Sequence, residues 1–321
     1  MTPFDIKRYT ESDTKEWNEF LENSKQATFL FHRNYMDYHA DRFDDHSLLF
    51  YRKNKLVALL PANQKDTTLH AHQGLTYGGL LTNKKATTTD VCNIFKSLAD
   101  YLSSAGIETM VYKAIPHIYH RLPAEEDLYA LTNICKASLL TRHVSSTLAA
   151  PHRPAFTESR KSGLRKAIRQ HIFIRESNDL EAFWHILTNN LQRQYNALPV
   201  HTLSEIERLK ALFPNNIRLF LAHNASGKPI GGTLIYESPC VVHTQYISAS
   251  PEGKDNGALD LLFSHLLHEV YANDARFFDF GKSSDGDGSL LNTSLIFQKE
   301  GFGARALCYD TYLWQISSTK I

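Results

Sequence analysis

Two halves of this chain predict the same order of secondary-structure elements, and this repeat constrains the fold more than any single motif. Each half has the pattern of a strand, helices, three strands, and then helix, strand, helix and strand. In the second half, residues 217–248 predict three antiparallel strands, with turns at Asn224–Gly227 and Glu237–Pro239. A repeat of about half the chain predicts two similar domains of mixed α/β structure.

The length of the chain agrees with that organisation. A chain of 321 residues is long enough for two domains with a large core. We predict an N-terminal domain over residues 1–150 and a C-terminal domain over residues 151–321. The second domain is expected to open with a basic linker helix over residues 158–172.

The linker is the most basic segment of the chain. Between Arg160 and Arg175 it holds six basic residues and no acidic one. On a helix, Lys161, Arg165 and Arg169 share one face because they are spaced four residues apart. The face is either a phosphate-binding stripe, for RNA or a nucleotide sugar, or the solvated side of an interdomain helix.

Composition argues against several classes of protein. The net charge of +1 gives no overall field for DNA or a membrane surface. The start of the chain is polar, which predicts no signal peptide, and no apolar run predicts a transmembrane segment. The four cysteines are far apart, as in a reduced cytoplasmic protein without a zinc site. His265 and His268 precede Glu269 in an order that is not H-E-x-x-H, so we expect no metal.

The segment Phe277–Gly303 contains DFG and DGDG, which are typical of a kinase loop and a calcium loop. The chain holds no G-x-G-x-x-G and no H-R-D, so a kinase is excluded. Counted from Asp285, the sixth position is Leu290, whereas a calcium loop of the EF-hand type needs Gly there. What remains is a strand end followed by a Gly-rich loop, which is either a site of ligand chemistry or a solvated turn.

Three motifs of the second half resemble the FemABX-type proteins. They are SRKSGLRKA at the start of the domain, FFDFG at a strand end, and FQKEGFGAR before the last strand. The resemblance covers nearly the whole chain and implies two tandem acyltransferase folds of the GNAT type. Members of the family transfer an activated acyl group, commonly an aminoacyl group from tRNA, to an amine of a peptidoglycan precursor.

The expected function is therefore transfer of an acyl or aminoacyl group to an amine of an envelope or polysaccharide precursor. We expect no tightly bound cofactor, with aminoacyl-tRNA or acyl-CoA as the donor and co-substrate. Two alternatives stay open. One is an acyl-CoA-dependent N-acyltransferase that acts on an amino sugar, and the other is a non-catalytic binding protein for a nucleotide-sugar or lipid-linked precursor.

Four residues of the second half are candidates for catalysis. His243 or Tyr246 could move the proton of the acceptor amine, and Lys282 could neutralise a phosphate or a developing oxyanion. Asp285 could orient the amine. The candidates for binding the substrate are Gln245, Asn292, Arg165, Arg169 and Tyr77.

The cofactor loop is where the chain departs from the pattern of the fold. Acetyl-CoA-using members hold the pyrophosphate on a Q/R-x-x-G-x-G/A turn, where this chain has ASPEGKDNGALDLL. Gly253, Lys254 and Gly257 are the candidates for contacting the cofactor there. Glu252 and Asp255 add negative charge at the place where an anion would bind, which disfavours coenzyme A.

Overall fold

The computed structural model describes residues 4–150 and 153–316, which form two compact units. The first unit comprises the chain up to Val144, Ser284–Leu290 and the chain from Cys308. The second unit comprises Ser145–Ser283 and Leu291–Leu307. Each unit is therefore assembled from segments that are not consecutive in the sequence.

The chain alternates helices and strands throughout both units. Residues 4–150 contain β1 Asp5–Arg8, α1 Thr14–Glu22, α2 Arg33–Met36, β2 Asp44–Asp45, β3 Leu48–Arg52, β4 Lys55–Leu60, β5 Asn63–Lys65, β6 Thr68–His70, β7 Leu81–Thr82, α3 Thr88–Ser104, β8 Thr109–Lys113, α4 Glu126–Asn133 and β9 Ser138–Leu148. Residues 153–316 contain α5 Glu158–Arg169, β10 Phe173–Ser177, α6 Leu180–Tyr195, α7 Leu203–Leu212, β11 Ile217–His223, β12 Pro229–Glu237, β13 Val241–Ala249, α8 Pro251–Asp255, α9 Ala258–His265, β14 Phe277–Lys282, β15 Ser284–Asp285, β16 Leu290–Leu291, α10 Thr293–Gly301 and β17 Arg305–Gln315. No helix in these two ranges is long and apolar enough to cross a bilayer.

Two groups of strands build the first unit. One sheet has the order β1-β3-β4-β7, and a second group follows the order β17-β8-β6-β5-β2. Helix α3 covers their common core with Val91, Phe95 and Leu98, which recur at helical spacing and are buried. Its N-terminus is fixed by a capping box between Thr87 and Asp90.

The second unit is built on the strand order β10-β11-β12-β13-β14-β9. Strands β11, β12 and β13 are antiparallel neighbours, which confirms the prediction from the two turns. Strand β14 runs parallel to β13, and the chain makes the crossover through α8 and α9. The sheet is therefore mixed, in agreement with the predicted α/β class.

Strand β14 separates the core of the second unit from a polar face. Phe278 and Phe280 are buried and meet Phe263 edge-on, with ring centroids 6.3 and 5.0 Å away. Phe280 also stacks on Phe302, at 5.7 Å. Because side chains alternate along a strand, Asp279 between the two phenylalanines points to the opposite face.

Candidate functional site

Strands β13 and β14 pair over only three residues and then diverge. The parallel register joins Val241–His243 to Phe277–Asp279, while β13 continues to Ala249 and β14 to Lys282. Where strands separate, main-chain N–H and C=O groups face the gap. Openings of this kind in an α/β sheet are common ligand sites, so the point of divergence is the candidate site.

A β-bulge in β13 turns Tyr246 to the same face as His243. His243 pairs with Tyr236 and Tyr246 pairs with Leu234, so β13 holds one residue more than β12 between these pairs. The bulge therefore includes Gln245. Since Tyr236 and Leu234 share a face of β12, His243 and Tyr246 share the corresponding face of β13, about 7 Å apart along the strand.

Asp279 lies at the point of divergence and is fully buried. Its Oδ2 is 2.8 Å from Nδ1 of His243. Its Oδ1 accepts hydrogen bonds from Ser145 Oγ at 2.5 Å, from Thr147 Oγ1 at 2.9 Å and from the Gly281 N–H at 3.3 Å. These donors compensate the carboxylate for the loss of water, without which a buried charge is strongly unfavourable.

His243 is positioned by this carboxylate. Its side chain is 12% exposed, and the contact with Asp279 fixes the orientation of the ring through Nδ1. The Nε2 atom is then the ring position that can exchange a proton with a substrate. A Cβ at Gly281 would lie 3.3 Å from Cε1 and 3.9 Å from Nε2, so glycine at this position keeps that edge of the ring uncovered.

Lys299 of α10 is the buried cation of the site. Its ammonium donates to the carbonyl oxygens of Gly281 and Lys282, both at 2.9 Å, and to Ser283 Oγ at 2.8 Å. Burial lowers the pKa of Lys299 to about 8, although the charge of Asp279 opposes that shift. Lys299 therefore fixes the end of β14, directly after the residue that holds His243.

Replacing Lys299 with Met should change how the stability of the protein depends on pH. Between pH 8 and about 10.5, the unfolded chain holds a proton that the folded Lys299 has released, so the free energy of unfolding rises with pH. Across this window, the free energy of unfolding of the wild type should rise by about 2–3 kcal/mol relative to that of Lys299→Met, measured by urea unfolding. The other titrating groups are the same in both proteins and cancel in the comparison. A difference in unfolding free energy that does not change with pH would therefore contradict the prediction.

Tyr246 is held by contacts with His201 and Trp184. Its hydroxyl lies 2.6 Å from Nδ1 of His201, and its ring meets Trp184 edge-on at 5.2 Å. Burial raises the pKa of Tyr246 to about 12, so the phenol stays protonated near neutral pH. The structure thus gives Tyr246 an anchoring contact to the segment before α7, on the face that it shares with His243.

The N–H groups of the turn after β13 donate hydrogen bonds within the protein. Ser250 donates its N–H to the Ile230 carbonyl at 2.9 Å, and its hydroxyl accepts from the Gly253 N–H at 3.1 Å. The N–H of Lys254 donates to the Ser250 carbonyl at 2.9 Å, and that of Gly257 to the Lys254 carbonyl at 3.4 Å. A pyrophosphate cradle needs N–H groups that point at the ligand, and these four are engaged within the protein.

Glycines in this region allow backbones to approach closely. A Cβ at Gly253 would lie 2.1 Å from the Ile230 carbonyl oxygen. Gly257 has φ +74°, and a Cβ there would lie 2.3 Å from the carbonyl oxygen of Gly163 in α5. A Cβ at Gly163 would in turn lie 1.9 Å from Oδ2 of Asp260. These glycines therefore have a packing role between α5 and the start of α9.

Helix α5 is the basic segment of the sequence, and its two sides differ. On the inner side, Arg160 pairs with Asp260 at 2.8 Å. Burial raises the pKa of Asp260 to about 6, although the charge of Arg160 acts to lower it. On the outer side, Arg165 and Arg169 are exposed, and Arg165 pairs with Glu158 at 2.5 Å. The outer side therefore presents basic groups to solvent.

The other predicted site residues lie in different surroundings. Lys282 is exposed at the end of β14, and Asp285 is exposed in β15. The side chain of Asn292 caps α10 by accepting the Leu295 N–H at 3.1 Å, and the helix begins after it, at Thr293. Tyr77 is 3% exposed in the first unit, where its hydroxyl donates to Thr28. The substrate roles of these residues stay predictions.

A cavity of about 950 Å³ opens at the far end of β13. It is lined by one side of α6, including His185 and Arg193, by Lys228, and by Ser250 and Lys254 of the turn. Its nearest strand residue, Ala249, is six positions from His243, which is about 20 Å along an extended strand. The cavity can therefore hold a distant part of a substrate but not the reacting atoms.

The sequence missed two features of this site. Ser145 and Thr147 lie 134 and 132 residues from Asp279, so no local pattern connects them. Lys299 lies three residues before the buried Phe302, a spacing that puts both on one side of a helix and could have indicated burial.

Comparison with known proteins agrees with the fold described above. Residues 152–287 match the model of the family described as acetyltransferase (GNAT) domain. No curated protein matches the chain in sequence. The chain is similar in structure to FemX, with a TM-score of 0.66 and 10% identity over 95% of this chain and 96% of that one.

Two further solved structures are similar over most of their length. L-PGS from Bacillus licheniformis has a TM-score of 0.61 and 12% identity over 95% of this chain and 91% of that one. The C-terminal DUF2156 domain of a proposed lysylphosphatidylglycerol synthetase from Agrobacterium fabrum has a TM-score of 0.59 and 10% identity, with coverages of 95% and 92%. The chain thus has a tandem GNAT-like fold similar to that of FemX, and its residues 152–287 match the GNAT acetyltransferase family.

Proposed function

We propose that this protein transfers an aminoacyl or related acyl group from a tRNA ester to an amine of an envelope or polysaccharide precursor. The observation that carries the proposal is the His243–Asp279 pair at the point where β13 and β14 diverge. It combines a group able to accept a proton, a buried carboxylate that orients it, and an opening between strands. These are the requirements for attack of an amine on an activated carbonyl.

In the proposed reaction, Nε2 of His243 accepts a proton from the acceptor amine while the nitrogen attacks the ester carbonyl. Asp279 holds the ring and stabilises the imidazolium that forms. Main-chain N–H groups on the diverging edge of β13 are suited to stabilise the oxyanion. The amide C–N bond forms, the ester C–O bond breaks, and the proton passes from His243 to the leaving hydroxyl oxygen.

Two observations favour tRNA over coenzyme A as the carrier of the acyl group. The N–H groups of Ser250, Gly253, Lys254 and Gly257 already donate within the protein, so this turn is a poor cradle for a pyrophosphate. The outer side of α5 presents basic side chains to solvent, as a site for a polyanion requires. In the FemABX-type proteins that this chain resembles, aminoacyl-tRNA is the common donor.

A thermal-shift panel followed by a transfer assay tests the proposal. Aminoacyl-tRNA, acyl-CoA and uridine-diphosphate sugars are added separately, and a ligand at 100 times its Kd should stabilise the protein by about 2.7 kcal/mol. We expect stabilisation by aminoacyl-tRNA and release of free tRNA when an amine acceptor is added. Stabilisation by acyl-CoA alone would assign the chain to the CoA-dependent N-acyltransferases. Binding of a precursor without turnover of any donor would instead support a binding protein.

A further inference from the structure

The first unit contains a strongly basic cavity of about 960 Å³ that the proposed reaction does not use. Five cationic side chains line it: Arg52, Lys53, Lys55, Lys84 and Lys85. Asp90 is the acidic residue of the lining. In a chain with a net charge of +1, this is a large local excess of positive charge.

The single carboxylate of the lining is already engaged. Asp90 pairs with Arg52 and also belongs to the capping box at the start of α3, where its Oδ2 accepts the Thr87 N–H at 3.0 Å. Hydrogen bonds from Thr87 and Arg52 lower the pKa of Asp90 against the effect of burial. The four lysines are exposed, and within the described residues none of them forms an ion pair. Their charge is therefore uncompensated by the protein.

Two fixed turns carry these lysines. Lys53 and Asn54 both have positive φ, of 51° and 58°, as in the tight two-residue turns of hairpins such as β3–β4. The loop after β7 is held by the Asn83 N–H, which donates to the Val57 carbonyl at 3.1 Å, and by Asn83 Oδ1, which accepts the Lys85 N–H at 2.9 Å. The lysine backbones are thus held in place around the cavity before any ligand binds.

Like charges also face each other directly in this hairpin. Arg52 and Lys55 are cross-strand partners in the β3–β4 register. Opposed like charges on neighbouring strands are destabilising, a cost that the pairing of Arg52 with Asp90 offsets in part. A bound anion would lower the remaining repulsion.

The remaining wall indicates what accompanies the anion. Phe4, Leu56 and Ile94 supply apolar surface, while Asn23 and Asn83 supply amides that can both donate and accept hydrogen bonds. A cavity of this volume, with an apolar wall and a few polar groups, is typical of sites for small molecules. The cations line one concave site rather than an extended stripe, which disfavours a nucleic acid or a membrane surface as the occupant.

We propose that this cavity of the first unit is a second binding site, which takes a small molecule with a diphosphate group attached to a polar ring, such as a nucleoside diphosphate. The lysines neutralise the phosphate oxygens, and the asparagine amides and apolar wall receive the ring. The inference is independent of the proposed transfer reaction. It predicts binding by the full chain whether or not a donor is turned over.

Isothermal titration calorimetry of the full chain tests the site with uridine diphosphate, adenosine diphosphate and inorganic phosphate. We expect a nucleoside diphosphate to bind more tightly than phosphate. The double variant Lys53→Glu/Lys84→Glu should weaken its binding by about tenfold or more, because two favourable charges become repulsive. The matched control is Lys65→Glu/Lys96→Glu, which makes the same charge change at two exposed lysines outside the cavity.

Each outcome of the titrations either supports this site or overturns it. Weakening in the cavity variant but not in the control supports the proposal when both variants keep the wild-type melting temperature, and unweakened binding in the cavity variant overturns it. Equal weakening of binding in both variants would mean that only the net charge matters, which would overturn the proposal. A short RNA hairpin and phosphatidylglycerol vesicles are titrated in parallel. If the RNA or the vesicles bind through the cavity lysines and no nucleoside diphosphate binds, the proposal is overturned. It is also overturned if none of these ligands binds.

Discussion

Replacing His243 with Gln is expected to lower the rate of acyl transfer by about 10²–10⁴-fold, the usual contribution of a positioned acid–base group. Gln can still donate a hydrogen bond toward Asp279 but cannot take the proton of the amine. The fold should be retained, because Ser145 and Thr147 keep their hydrogen bonds to the carboxylate. The measurement is a single-turnover assay with the donor that stabilises the wild type in the thermal-shift panel.

The chain offers a matched control for this variant. His265 and Glu269 form a similar contact, with Nδ1 2.9 Å from the carboxylate, but they lie near the surface on α9 and the π-helical turn that continues it. His265→Gln should leave the transfer rate within about twofold of the wild type. Should His243→Gln retain half of the wild-type rate, His243 would not be the base. Asp279→Asn should also slow the reaction, since an amide can hold the ring in the wrong tautomer.

Replacing Gly257 with Ala is expected to cost about 3 kcal/mol or more of unfolding free energy, from two causes of roughly 1–3 kcal/mol each. The residue has φ +74°, which is unfavourable for alanine, and its Cβ would lie 2.3 Å from the Gly163 carbonyl oxygen. The backbones of α5 and of the residue before α9 would have to separate. Chemical denaturation of the purified variant measures the loss.

Gly106→Ala isolates the backbone contribution from the steric one. Gly106 has nearly the same backbone angle, φ +72°, but a Cβ there would meet nothing within 4 Å. It should therefore lose only about 1 kcal/mol, the lower end of the cost of a left-handed residue. If the two variants were equally stable, Gly257 would have no packing role. Glycine at position 257 of the ASPEGKDNGALDLL segment would then be better explained by contact with a ligand.

The sequence predicted the parts of this protein that depend on local patterns. Turn residues indicated the three antiparallel strands around β12. The spacing of His243 and Tyr246 did not show that they share a face, because the bulge at Gln245 is a property of the pairing between strands. Register across a sheet is decided by two segments together, which one segment cannot reveal.

The site itself shows the same limit. An aspartate between Phe278 and Phe280 indicates a buried carboxylate that must find donors. Which donors it finds depends on β9 and β13, which reach β14 only in the folded chain. His243 could be named as a candidate from its residue type, whereas its pairing with Asp279 required the parallel register.

The non-consecutive composition of the first unit has a consequence for how the protein is made. Thr311–Gln315 of β17 pair with Thr109–Lys113 of β8, in the middle of that unit. A ribosome therefore releases β8 about 200 residues before its neighbour exists, which is of order ten seconds or more of synthesis. The second unit can gather nearly all of its strands in that interval. We thus expect the unit whose first strands are translated earlier to be the one that finishes folding last.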